Sequence, residues 1–204
     1  GVMTKIYFAS NRDVRRESSK SGDNFGDRFN ADGPQCFRVG EAKVTLTGDD
    51  PKDDASWKVG LTRLYAEDLN SQLEHGAKLG SARLFEELRL ILKSEDVDVI
   101  IYIHGFANSF QNSVQRAAAL QALYTSDAQK IIVVMFSWPS NGRVQPAWNY
   151  FSDREDAEAS GLAMGRAPST SAMLSGSRMK ASGLSCAQAR AATATSASCS
   201  RVVP

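Results

Sequence analysis

Two stretches of the chain place apolar residues at successive positions with no polar alternation: Val99-Ile-Ile-Tyr-Ile103 and Ile131-Ile-Val-Val-Met-Phe136. A strand with a wet face alternates, so this pattern predicts two strands buried on both sides. Between them, Val114, Ala117, Ala118, Leu120 and Leu123 recur at helical spacing behind Ser109, a suitable N-cap. Strand, helix, strand in this order predicts a parallel pair with a crossover, the core of an α/β sheet. A helix is also predicted from Leu79 onwards, where Leu84, Leu88, Ile91 and Leu92 share a face opposite Arg83, Glu86, Glu87 and Arg89.

The N-terminal third reads differently. Lys5 to Ala9, centred on Ile6-Tyr7-Phe8, predicts a short strand. Asp13 to Pro34 is polar and glycine-punctuated around Phe25 and Phe29, which predicts a surface loop. Phe37-Arg-Val39 and Ala42-Lys-Val44-Thr-Leu46 alternate, and are expected to form antiparallel strands joined by Gly40-Glu41. Gly48 to Asp54 is a turn whose aspartates fit no EF-hand spacing, and Trp57 to Leu64 is a further strand candidate. Ser152 with Glu155 forms a capping box opening a helix through about Arg166.

Beyond Ala167 the composition changes. Pro168 to Pro204 contains no acidic and no aromatic residue and is dominated by Ser and Ala. Such a segment buries too little apolar surface to offset the entropy of ordering, so residues 168–204 are expected to be a disordered tail after a domain of residues 1–167. A natural low-complexity tail is one reading of this change. The other is a shift of reading frame near codon 167, since the change falls inside a predicted helix.

The rest of the composition narrows the partners. With a formal net charge of +1 and no basic stripe, the chain gives no case for nucleic-acid binding. No apolar run reaches the length of a membrane span. Cys36, Cys186 and Cys199 are odd in number and widely spaced, which argues against a disulfide framework or a CxxC metal site and for a cytoplasmic setting. No cofactor motif follows a predicted strand: neither a Gly-x-Gly-x-x-Gly nor a Walker A string is present. Oligomeric state is not readable from the pattern.

The candidate chemistry lies where the two buried strands end, at His104-Gly105-Phe106-Ala107-Asn108 and at Ser137-Trp138-Pro139. Open α/β sheets place their ligands at such carboxyl ends. Tyr102-Ile-His-Gly-Phe-Ala-Asn-Ser-Phe110, with Phe136-Ser-Trp-Pro-Ser140, Asp153-Arg-Glu-Asp-Ala157 and the opening Phe8-Ala-Ser-Asn-Arg12, resembles a family of uncharacterised bacterial α/β-hydrolases described as esterase/lipase-like. The resemblance implies a partial α/β-hydrolase fold: a mostly parallel sheet with flanking helices and N-terminal antiparallel edge strands. It also implies a serine-type hydrolase acting on a small-molecule ester or related acyl bond. In that superfamily the loop after His-Gly supplies an oxyanion donor. The resemblance therefore makes His104, Gly105, Phe106, Asn108, Ser137 and Trp138 the oxyanion and pocket residues.

Set against this, the catalytic set is missing. A serine hydrolase of this fold runs nucleophile, acid, histidine along the chain. The only histidines are His75 and His104, both upstream of any elbow. Gly183-Leu-Ser185-Cys-Ala187 is the nearest elbow-like string, without a strand before it, and Ser137 is followed by Trp-Pro where an elbow needs a small residue. Ser185 and Ser137 are thus weak nucleophile candidates. His104 is better explained as a structural residue of the turn than as a base. His75 and the pair Asp153 and Arg154 are expected at the surface and at a helix N-terminus. Phe106 serves either as the oxyanion donor or as core packing. Two function classes follow: an α/β-hydrolase enzyme represented by an incomplete copy, and a non-catalytic module binding a ligand or partner at the same pocket.

Overall fold

The computed structural model describes residues 1–34, 36–66, 80–140 and 155–161. Among the described residues the main sheet has six strands in the order β3-β6-β5-β1-β8-β7: β1 (Met3–Ser10), β3 (Ser18–Ser19), β5 (Arg38–Leu46), β6 (Trp57–Leu64), β7 (Val97–Ile103) and β8 (Lys130–Ser137). Strands β2 (Arg12–Val14) and β4 (Phe25–Phe29) form a separate antiparallel pair. The sheet is mixed. β1, β8 and β7 run parallel, whereas β5, β6 and β3 are added antiparallel on the other side of β1.

Helices α1 (Gly80–Ser94) and α2 (Phe110–Tyr124) cover opposite faces. Because alternate strand residues point to opposite faces, Ile6 and Phe8 of β1 join Val133 and Met135 of β8 against Val114, Ala117 and Ala118 of α2. Tyr7 and Val134 instead join Val99 and Leu84 and Leu88 of α1. Each buried strand thus feeds two cores, which is why β7 and β8 lack polar alternation. The parallel register pairs Tyr102 with Met135 and Ile103 with Phe136, as the two apolar runs predict. Both helices also fall where the pattern places them, and Ser109 caps α2 by accepting from the Asn112 N–H at 3.1 Å.

Two expectations in the N-terminal third need correction. Gly40-Glu41 is not a turn: β5 runs unbroken from Arg38 to Leu46. A Cβ at Gly40 would come within 2.1 Å of the Arg63 carbonyl oxygen and 2.7 Å of the Phe8 ring. The glycine therefore serves close strand approach rather than chain reversal. Glu41, mid-strand and buried, is paired with Lys5 at 2.9 Å and Arg63 at 2.6 Å.

Nor is Asp13 to Pro34 a plain surface loop. Phe25 is buried in the α2 core, with ring centroids 5.7 Å from Phe8 and 4.5 Å from Phe110. Apolar spacing cannot reveal a segment that docks through one aromatic ring.

The turn around Asp53 is held by its own polar groups: Asp53 accepts from the Ala55 N–H, and Asp54 pairs with Arg116 at 2.9 Å. Residues 155–161 are helical, while Ser152 to Arg154 and the tail 168–204 lie outside the described residues. Among the described residues, no helix is long and apolar enough to cross a membrane.

Candidate functional site

Strands β7 and β8 end side by side, and their parallel register carries His104 and Ser137 to the same sheet edge. His104 is fully enclosed, and its ring stacks on Trp138 with centroids 5.1 Å apart and planes 12° from parallel. The Trp138 indole N–H donates to the His104 carbonyl at 2.9 Å, and the Trp138 main-chain N–H lies 3.2 Å from His104 Nε2. Nδ1 faces the Gly105 carbonyl at 2.8 Å. A carbonyl only accepts and a main-chain N–H only donates, so the contacts fix the tautomer with the proton on Nδ1 and the lone pair on Nε2. Burial, then the neighbouring positive charge of Arg12, pushes the imidazole down to about 3. His104 is a neutral acceptor in this setting.

Ser137 completes the inner wall. Its side chain is fully buried, donating to His104 Nε2 at 3.1 Å and accepting from Arg12 Nε at 2.9 Å. Arg12, the first residue of β2 and also fully buried, reaches further: to the carbonyls of Gly26 at 3.1 Å, Ser140 at 3.0 Å and Asn108 at 2.7 Å. Its second terminal nitrogen also lies 3.4 Å from His104 Nε2. Beside it, Asn11 donates to the Pro34 carbonyl and to Ser160 Oγ, both at 3.0 Å, which ties the helical residues 155–161 to the same corner.

The loop 104–108 is held from within. Asn108 Nδ2 donates to the carbonyls of Gly105 at 3.1 Å and Phe106 at 2.9 Å. The Gly105 oxygen thus receives both Nδ1 of His104 and the Asn108 amide. In a trans peptide the C=O and the following N–H point to opposite sides. Drawing both carbonyls towards Asn108 therefore turns the Phe106 and Ala107 amides to the other side of the turn. Ala107 has φ 58°, the left-handed region that an L residue enters at a cost of about 1 kcal/mol. Strain of that size persists where surrounding bonds over-determine the backbone, as they do here.

The structure brings His104, Gly105, Phe106, Asn108, Ser137 and Trp138 together at one carboxyl edge, linked by these bonds and by the adjoining turn. Ser185, His75, Asp153 and Arg154 lie outside the described residues. Sequence reading quoted Arg12 and Ser140 as the ends of two resembling strings but gave neither a role. Arg12 lies two residues past the end of β1, but no periodicity separates a buried arginine from a solvated one.

Residues 82–170 match the model of a family described as an alpha/beta hydrolase of unknown function (DUF900). The match begins in α1 and takes in β7, the loop 104–108, α2 and β8. Comparison with curated proteins and with solved structures finds no match.

Proposed function

We propose that the loop 104–108, with Ser137 and Trp138, is the oxyanion side of an acyl-transfer site. In a complete form of the domain the reaction class is the serine-type hydrolysis of an ester or related acyl bond on a small molecule. The observation that carries this reading is the double hold on the Gly105 carbonyl, with the Phe106 carbonyl also on Asn108. By peptide planarity this hold turns the Phe106 and Ala107 N–H groups away from Asn108, the direction in which an oxyanion donor is needed at a sheet's carboxyl edge. Donors fixed before reaction stabilise a developing oxyanion without reorganising when the charge appears.

The chain as written binds and does not turn over. Neither His75 nor His104 follows a possible elbow serine. His104 Nε2 already faces the Trp138 N–H, and its lowered basicity makes it a poor proton acceptor at neutral pH. Ser137 is fully buried and held by Arg12, a setting for packing rather than attack. The family match ends at residue 170, close to the change in composition after Ala167. The reading that the chain leaves a hydrolase pattern before a nucleophile rests on the change in composition after Ala167. A cytoplasmic setting accompanies the reading, on the odd number and wide spacing of Cys36, Cys186 and Cys199 in the sequence.

A fluorophosphonate probe, read by intact mass, tests the assignment alongside hydrolysis of a short-chain activated ester. No adduct and no enzyme-dependent hydrolysis are expected. A stoichiometric adduct lost in Ser137→Ala or Ser185→Ala would make the chain an enzyme and overturn the non-catalytic part of the reading.

A further inference from the structure

We propose that Arg12 is the positioning residue of the 104–108 loop, the group that fixes the direction in which the Phe106 and Ala107 amides face. The inference rests on reading that loop as an oxyanion site, but it concerns how the loop is held.

The bonds close a ring. One terminal nitrogen of Arg12 donates to the Asn108 carbonyl at 2.7 Å, and the other donates to the Ser140 carbonyl at 3.0 Å. The Ser140 hydroxyl in turn accepts from the Asn108 N–H at 3.2 Å. Asn108 is thereby gripped at its N–H and its carbonyl, and its side chain is the group that turns the Gly105 and Phe106 carbonyls. Orientation passes from Arg12 to the Asn108 backbone, from there to the Asn108 amide, and so to the peptide planes that carry the two N–H donors.

The guanidinium suits this task. It is a rigid planar fork with five N–H donors, so one side chain addresses acceptors in several directions without rotating. Its Nε bond to Ser137 and its contact with the Gly26 carbonyl place the fork between the tip of β8 and β4. The family match starts at residue 82, so this hold on the matched loop comes from the chain's unmatched N-terminal part.

The test follows the loop in the full chain and needs no ligand. Amide and imidazole nitrogen spectra are recorded for the wild type, Arg12→Met and Arg12→Lys. In Arg12→Met the amides of residues 105–108 and the Trp138 indole N–H should shift, and exchange of the Asn108 amide, bonded to Ser140 Oγ in the wild type, should speed about tenfold or more. Strand amides of β5 and β6 should stay in place. Loss of the neighbouring charge should also move the His104 titration upwards, and Arg12→Lys should restore part of each effect. Loop amides in Arg12→Met that superimpose on the wild type would overturn the proposal.

Arg12→Met is at risk of unfolding, so the unaltered chain supplies a second measurement. The Arg12 terminal N–H signals should be individually resolved, exchange slowly and show contacts to Asn108. Averaged, rapidly exchanging signals there would defeat the proposal whatever the variants do. Because none of these readouts involves an anion, they stand or fall separately from the oxyanion reading, which anion titration tests.

Discussion

Trp138 holds His104 at two points, donating its indole N–H to the carbonyl at 2.9 Å and its main-chain N–H towards Nε2 at 3.2 Å, while the two rings stack. A histidine held in this way is a fixed acceptor in the wall of the loop. Its properties make the first prediction.

Folding lowers the His104 pKa from 6.5 to about 3, by burial first and the Arg12 charge second. Below pH 6.5 the unfolded chain therefore binds a proton that the folded chain refuses. The stability contributed by neutral His104 is complete above 6.5 and falls as pH drops towards 3, by up to about 1.4 kcal/mol per pH unit. Urea unfolding at stepped pH checks this. His104→Gln should be less stable at pH 7 and should flatten the slope between pH 6.5 and 4.5.

Glu41 supplies a second acid-sensitive element on the α1 face. Burial alone would raise its pKa, but bonds and charges from Lys5 and Arg63 outweigh it and hold the carboxyl at about 2, below its ordinary 4.5. The sign is that of a depressed carboxylate: stability is complete above 4.5 and is lost as pH falls towards 2. Tyr65 also donates to Glu41 at 3.2 Å, so Glu41→Gln leaves several donors poorly matched. It should cost about 2 kcal/mol at pH 7, and urea unfolding of Glu41→Gln across pH 7 to 3 should show a shallower loss below pH 4.5.

Phe25 distinguishes a docked segment from a loose one. Its ring completes a three-ring cluster with Phe8 and Phe110. Phe25→Ala should destabilise the fold by about 3 kcal/mol, whereas Phe29→Ala, at a half-buried position, should cost less than about 1 kcal/mol. Denaturant midpoints of the two variants check the difference.

At Ala107, φ 58° makes a glycine the better backbone residue. Ala107→Gly should raise stability by about 0.5–1 kcal/mol, read as a higher unfolding midpoint. An unchanged or lowered midpoint would show that the loop does not hold this conformation in solution.

The parts of the fold made of continuous or periodic apolar residues were legible. β7, α2 and β8 were visible because burial on two faces, or on one helical face, leaves a pattern in residue order. The meeting of His104 and Ser137 at one carboxyl edge was legible too, because each directly follows or ends a buried strand of the same parallel pair. Gly40 was misread because a glycine required by the nearby Arg63 carbonyl and Phe8 ring looks the same in sequence as a turn glycine. The role of Arg12 was hidden for a related reason: it is defined by Gly26, Asn108, Ser137 and Ser140, which only the folded chain brings to one point.

The central claim is that the 104–108 loop is built to receive a negative oxygen on its Phe106 and Ala107 amides. The most direct measurement is an amide nitrogen–proton spectrum of the full chain titrated with phenylphosphonate. The account predicts saturable shifts that are largest at the Phe106 and Ala107 amides. Shifts that are largest elsewhere, or absent at these two amides up to the solubility limit of the anion, would contradict it.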